Sequence, residues 1–394
     1  MNLLLVVGAA LFLLAVGTLL GRYYAPDRRP LKRAAREGRS YVRGLVELLE
    51  GHEDAAIEQI KKALKQNTKT VEAYFALGAL FRNRCEYERA VRVHQSILVR
   101  RDVDKGTKLR VHYQLALDFR AAGFPRRAVK ALEYVLGHDK KHVQALTDLA
   151  KLYERVGAWE RAAASRIRLG KLQKRDSSSH VAHLMAQHAY ESAEAGDKKA
   201  AQRALRRAIS ANAESVHVLH VLGELRRREG KLAGAVNAWR KALLAAPDLA
   251  SFFLARLERV LFEMEKLDDL QGILDEASAA HPSNVYLRLA VARFRGKRDP
   301  QGALVDLRDL TDEYPHLLPA RREAALLVLE QDEPSALRAA LEELLGALSS
   351  ADHGYRCAQC GHATLDLFWR CSSCGAWDAT RMAWGRRASE RVAS

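Results

Sequence analysis

Apolar and polar positions follow two different patterns along this chain. From Met1 to Gly21 no side chain is charged. As a helix rising ~1.5 Å per residue, that stretch would be about 31 Å long, enough to cross the hydrocarbon core of a bilayer. From about residue 40 onward the apolar residues fall instead into short helical stripes separated by turns. In "VLHVLGELRRREGKLAGAVNAWRKALLAAP", Leu222 and Gly223 lie in one predicted helix and Gly230 makes a turn. Ala235, Trp239 and Ala242 then share one face of a second helix at i, i+4 and i+7, and Pro247 stops it.

This helical pair recurs. Small residues stand at Gly44, Gly78, Ala116, Ala150, Ala189 and Gly223, with intervals of 34, 38, 34, 39 and 34. Seven positions after each comes a turn slot, filled by Gly51, Cys85, Gly123, Gly157, Gly196 and Gly230. Glycine suits a turn that ends a helix in the left-handed conformation, because it has no Cβ to clash there. Twelve positions after each small residue comes an alanine: Ala56, Ala90, Ala128, Ala162, Ala201 and Ala235. Small residues at the crossings let paired helices approach closely. One hairpin cannot bury its own apolar stripe, but stacked hairpins bury a shared one. The pattern resembles the tetratricopeptide repeat. Beyond residue 250 it weakens. Pro282 and Pro315 keep nearly the phase of Pro247, so two degenerate repeats are expected, followed by a helical pair over about 319–348 that caps the stack.

Charge changes the reading of the first 21 residues. A cleaved signal peptide carries basic residues before its apolar run. Here nothing basic precedes it, and Arg22, Arg28, Arg29, Lys32, Arg33, Arg36, Arg39 and Arg43 follow, against Asp27 and Glu37. The asymmetry predicts a retained anchor with its N-terminus periplasmic and the bulk of the chain facing the cytoplasm. Gly17 and Gly21 have a spacing that permits a partner helix, although glycine is common in membrane helices generally. Over the whole chain, 64 Lys and Arg against 48 Asp and Glu give a net charge of +16, which suits an anionic membrane surface or a nucleic acid.

Four of the five cysteines lie in "YRCAQCGHATLDLFWRCSSCGAW". Cys357 and Cys360 form one Cys-x-x-Cys knuckle, Cys371 and Cys374 a second, ten residues apart. Each knuckle presents two thiolates from one tight turn, and two knuckles complete a tetrahedron around one metal ion. Four sulfurs suit both zinc and mononuclear iron. Gly361 and Gly375 follow the second cysteine of each knuckle, and Tyr355, Phe368, Trp369 and Trp377 are expected to line the small domain. His362 is surplus to such a site and reads as a surface residue. Cys85, in a turn slot, reads as a lone surface thiol. His180, His183 and His188 are spaced at i, i+3 and i+8, which reads as a solvated face rather than a metal site.

The chain thus divides into an anchor (1–21), a basic juxtamembrane linker (22–39), a repeat array with a helical cap (40–350) and a four-cysteine metal domain (351–394). The fold class is all-α: a tetratricopeptide-repeat solenoid with an N-terminal transmembrane helix and a small C-terminal rubredoxin-like or zinc-ribbon domain. No phosphate-binding loop, dinucleotide fingerprint, His-Glu-x-x-His or nucleophile elbow is present, so the chain is not expected to be an enzyme.

Anchor, basic segment, repeats and terminal knuckles, in this order, resemble the lipopolysaccharide assembly protein B family of Gram-negative bacteria. The more specific stretches are "VEAYFALGALFRNRCEYERAVRVHQSIL" and "YRCAQCG…LFWRCSSCGAW". Ser372 stands where the family tends to carry proline. The resemblance implies a regulatory adaptor in the bacterial inner membrane that limits lipopolysaccharide synthesis. Its implied partners are the membrane protease FtsH and, as client, the deacetylase of the committed step of lipid A synthesis, with other lipopolysaccharide-assembly proteins as further candidates. The sequence also leaves room for a homo-oligomer. By the likeness to rubredoxin, Cys357, Cys360, Cys371 and Cys374 are the ligands of one iron or zinc ion, and the domain is structural and packs against the repeats. Two other readings compete. A nucleic-acid-binding zinc ribbon would show salt-sensitive affinity, but between Cys357 and Cys374 the only cation, Arg370, is offset by Asp366. A rubredoxin-type electron carrier would show a reversible one-electron couple.

Overall fold

The computed structural model describes residues 11–18, 28–66, 71–101, 103–315, 317–330, 341, 344, 354–364 and 366–382. Residues 11–18 are helical with mostly exposed side chains, and the rest of the expected anchor lies outside the described residues. Among the described residues no helix is long and apolar enough to cross a membrane. The second half of the expected capping pair also lies outside them, apart from residues 341 and 344.

The chain divides into two compact units, Met1–Leu152 and Tyr153–Ser394. The first is built of hairpins: α1 (Arg28–Leu49) with α2 (Glu53–Gln66), α3 (Val71–Asn83) with α4 (Tyr87–Leu98), and α5 (Lys105–Ala121) with α6 (Pro125–His138). Helix α7 (Val143–Arg155) spans the division. The second unit contains α8 (Trp159–Gln173), α9 (Ser178–Glu194), α10 (Lys198–Ala211), α11 (Val216–Arg228) and α12 (Leu232–Ala245). A 3₁₀ turn at Pro247–Leu249 leads to α13 (Ala250–Glu263), α14 (Asp269–Ala280), α15 (Val285–Gly296), α16 (Pro300–Glu313) and α17 (Leu318–Leu329). The weakened repeats after residue 250 therefore still form two hairpins, α13–α14 and α15–α16.

The turn slots behave as their glycines predict. Gly51, Gly123, Gly157, Gly196 and Gly230 all have φ between +70° and +82°. Cys85 takes the same conformation at φ +61°, and so does Glu265, at φ +58°, in the turn between α13 and α14. Left-handed backbone strains a residue with a Cβ. Cys85→Gly is therefore expected to raise stability by about 1 kcal/mol or less, read as a higher midpoint in urea, because relief of strain exceeds the entropy glycine adds to the unfolded chain.

Within a hairpin, residue size is matched across the crossing. Where the small position is glycine, the residue sixteen further on is large: Ile60 after Gly44, His94 after Gly78, Trp239 after Gly223. A Cβ at any of these glycines would overlap that partner side chain. At the alanine positions Ala116, Ala150 and Ala189 the residue sixteen further on is Leu132, Arg166 and Leu205. His94 is fully buried, and its Nδ1 lies 2.5 Å from Asp118, which also accepts a 2.7 Å hydrogen bond from Arg82. This buried polar set ties the α3–α4 hairpin to α5. In the second unit, Trp239, Phe253 and Leu257 sit at the centre of a core that runs from α11 to α15.

The second unit ends in a three-stranded antiparallel sheet of order β2-β1-β3: β1 (Tyr355–Cys357), β2 (Ala363–Thr364) and β3 (Thr380–Met382). It is the one departure from an all-helical chain among the described residues, and it carries the cysteine knuckles.

Candidate metal centre and its docking face

Each knuckle is a tight turn closed by its glycine. The Gly361 amide donates to the Cys357 carbonyl and the Gly375 amide to the Cys371 carbonyl, both at 2.9 Å. Both glycines sit at φ +74°, a left-handed conformation that favours a residue without a Cβ. The two knuckles bring the four sulfurs to within 4.8 Å of one another. Cys357 and Cys374 are 3.7 Å apart, as are Cys360 and Cys371, and all four are free thiols. A tetrahedral site with ~2.3 Å metal–sulfur bonds has edges of about 3.8 Å, so the donor set fits one metal ion. Cys357 and Cys371 are buried, while Cys360 and Cys374 are exposed.

The electrostatics fit a cation too. Burial alone would raise the Cys371 thiol, but the amides of Cys374 and Ser373 and the neighbouring sulfurs bring it down to about 6. The Ala376 amide pulls on Cys374, yet burial and three neighbouring sulfurs push it up to about 12. A metal ion bound between the sulfurs favours the thiolate form of its ligands. The surplus His362 pairs with Ser372, its Nε2 3.1 Å from the hydroxyl, linking the two knuckles.

The two tryptophans do not simply line the small domain, and of the three histidines of α9 His183 is not on a solvated face. Trp369 stacks on His217 at 4.9 Å between centroids and on His220 at 5.6 Å, and meets Phe252 edge-on. Trp377 stacks on His183 at 5.4 Å and on His217 at 6.0 Å. Asp378 completes the contact, its carboxylate 2.6 Å from His183 Nε2. Arg370 lies 3.3 Å from Glu154, a buried carboxylate that also accepts from Arg166 at 2.7 Å. His183, His217 and His220 are 1%, 1% and 6% exposed. His183 thus departs from the solvated-face expectation, whereas His180 is exposed.

His217 and His220 were not singled out by sequence, although a signal existed. Residues 181–186 of α9 and 217–221 of α11 are buried without a break. A helix apolar around its whole girth is covered on more than one side. In "VAHLMA" and "VHVLHV" the usual polar face is missing, and the metal domain is what covers it.

His217 and His220 are held neutral. Burial, with help from His183 and His220, keeps His217 well below the ordinary imidazole range. Burial and the Arg256 guanidinium push His220 down to about 3. A folded-state value below the unfolded one means that the unfolded chain binds more protons between the two. The stability these groups contribute is therefore complete above about pH 6.5 and is lost as pH falls towards 3. Below pH 6.5 each of the two is expected to cost stability on the order of 1 kcal/mol per pH unit. A urea-midpoint series from pH 7 to 5 should show a shallower decline for His220→Phe than for the unaltered protein.

Known proteins match this architecture. Residues 355–380 match a rubredoxin metal-binding domain family, the ribbon of LapB proteins, and residues 113–166 match a tetratricopeptide-repeat family. Lipopolysaccharide assembly protein B of Escherichia coli K12 is 27% identical over 370 residues, covering 93% of this chain and 95% of that protein. The protein of the same name from Haemophilus influenzae is 24% identical over 355 residues, covering 87% and 89%. Among solved structures, the MamA protein is 21% identical, covers 45% of this chain and 93% of its own at a TM-score of 0.32, and bears on nothing further.

Proposed function

We propose that this chain, a homologue of lipopolysaccharide assembly protein B along nearly its whole length, is a non-enzymatic regulatory adaptor of lipopolysaccharide synthesis. The observation that carries the reading is the joint match: 93% of the chain aligns, and the repeats and the four-cysteine ribbon each match a family of their own. The adaptor presents the deacetylase of the committed lipid A step to the FtsH protease, and it scaffolds other lipopolysaccharide-assembly proteins. Residues 1–21 anchor it in the bacterial inner membrane with the bulk facing the cytoplasm, and residues 22–39 lie against anionic headgroups. Anchoring places the repeats beside a membrane protease, and the chemistry occurs on the partner.

In this reading Cys357, Cys360, Cys371 and Cys374 ligate one iron or zinc ion, and the ion is structural. Trp369, Trp377 and Asp378, each close in sequence to Cys371 or Cys374, make the contacts with α9, α11 and α13. Metal holds the knuckles, the knuckles hold these side chains, and these side chains hold the domain on the helices.

The test is crosslinking in membranes followed by isolation of the tagged protein, with and without residues 1–21. The full chain should recover both the protease and the deacetylase, and the deletion should weaken recovery of the protease. Recovery of neither by the full chain would sink the adaptor reading.

A further inference from the structure

The face that the metal domain covers continues beyond it. His183, His217, Ser251 and Tyr286 follow one another at intervals of 34, 34 and 35, one from each of α9, α11, α13 and α15. His220, Leu254 and Leu289 repeat at 34 and 35 on the last three of these helices. Over α9 and α11 these positions carry Trp369, Trp377 and Asp378. Over α13 and α15 they line, together with residues of α17 and Leu344, a cavity of about 530 Å³. Its floor is aliphatic, with Leu254, Leu289 and Leu318, and the metal domain closes one side with Tyr355 and Met382. At the mouth stand Arg293 and Arg322, each 3.6 Å from the one carboxylate of Glu323. Both guanidiniums are more than half exposed.

We infer that this cavity is the client-docking site of the adaptor, and that it takes a peptide segment with neighbouring aliphatic residues and a carboxylate. The inference rests on the adaptor reading and says where the client is held. Two observations choose the occupant. Two guanidiniums share one carboxylate, so the mouth has room for a second anion beside an apolar floor. The same face, two helices earlier, already holds a protein segment of this chemistry: apolar rings at Trp369 and Trp377 followed by the Asp378 carboxylate on His183. Among the described residues the metal domain fills the central part of the face, and the client takes the part that these residues leave open. Because Tyr355 and Met382 form a wall, the metal domain is part of the site, and metal loading is a condition for binding.

The experiment uses the full chain in detergent micelles and two probes: the intact deacetylase, and an array of short overlapping peptides that covers it. Peptides carrying adjacent aliphatic residues and an Asp or Glu should bind. Arg322→Glu, which reverses an exposed charge, and Ser251→Trp, which fills the mouth from an exposed position, should each weaken binding at least tenfold with metal content unchanged. A peptide with its acidic residue changed to lysine should regain affinity for the Arg322→Glu protein. If both variants capture the intact deacetylase as well as the unaltered protein does, the client docks elsewhere and the site assignment fails while the adaptor reading stands. Displacement of all bound peptide by dodecanoate, with equal affinity for acidic and basic peptides, would mark an amphiphile site and overturn the inference. So would peptide binding that tracks self-association of the chain. If the unaltered protein captures no deacetylase, the adaptor reading itself falls.

Discussion

Replacing Cys371 with serine is expected to release the metal ion and detach the small domain, leaving the helical hairpins folded. Metal binding contributes about 10–16 kcal/mol in small zinc domains, more than a unit this size can replace with apolar burial. The helices have their own core from α11 to α15, centred on Trp239, Phe253 and Leu257, against which the ribbon packs Trp369. Metal analysis should fall from one ion per chain to nearly none, while far-ultraviolet circular dichroism keeps most of its helical signal. Tryptophan emission should shift to the red as Trp369 and Trp377 leave the imidazoles of His183, His217 and His220. Those histidines should become reactive towards diethyl pyrocarbonate. Retention of one tightly bound ion by the serine variant would show that the ligands are misassigned.

The second large effect is expected at the Gly223–Trp239 crossing. Trp239 is fully buried, and its indole nitrogen lies 3.3 Å from the His220 carbonyl in the neighbouring helix. Trp239→Ala should cost about 3–5 kcal/mol, because it removes the largest side chain of the core and leaves a cavity. Gly223→Ala should also destabilise, by about 1–3 kcal/mol, since the new Cβ would overlap the indole. The pairing of alanine with leucine in other hairpins supplies a control. Gly223→Ala combined with Trp239→Leu recreates the Ala116–Leu132 and Ala189–Leu205 combination. It should cost clearly less than the sum of its two single changes, measured as urea midpoints. Strict additivity would mean that size matching across the crossing is not what holds the hairpin.

The hairpins and the four-sulfur site were legible in the sequence for local reasons. A left-handed turn admits few residues, so Gly51, Gly123, Gly157, Gly196 and Gly230 announce it. Glu265 adopts the same conformation without announcing it, because tertiary packing can hold a strained residue that propensity would not select. Two Cys-x-x-Cys knuckles with following glycines likewise carry their geometry in four or five consecutive residues. What could not be read was the docking of the metal domain on α9, α11 and α13. It joins residues 183, 217 and 220 to residues 369, 377 and 378, and no local pattern encodes a contact over such separations. The histidine spacing alone reads as a solvated helix face, because histidine is amphipathic and fits either environment. The missing polar face in "VAHLMA" and "VHVLHV" is the better guide in the sequence, since a hairpin partner covers only one side of a helix. The size matching of Gly223 with Trp239 lies in between. The sixteen-residue offset is visible in the sequence, but its meaning needs the crossing geometry.

The most direct measurement is the rate at which FtsH degrades the lipid A deacetylase in proteoliposomes, with and without this protein incorporated through its full chain. Degradation should accelerate when the protein is present, and the acceleration should disappear with the Cys371→Ser variant, which keeps its helices but loses the ribbon wall. Equal rates with and without the protein, in vesicles where the protease is active on another substrate, would contradict a role in presenting that client.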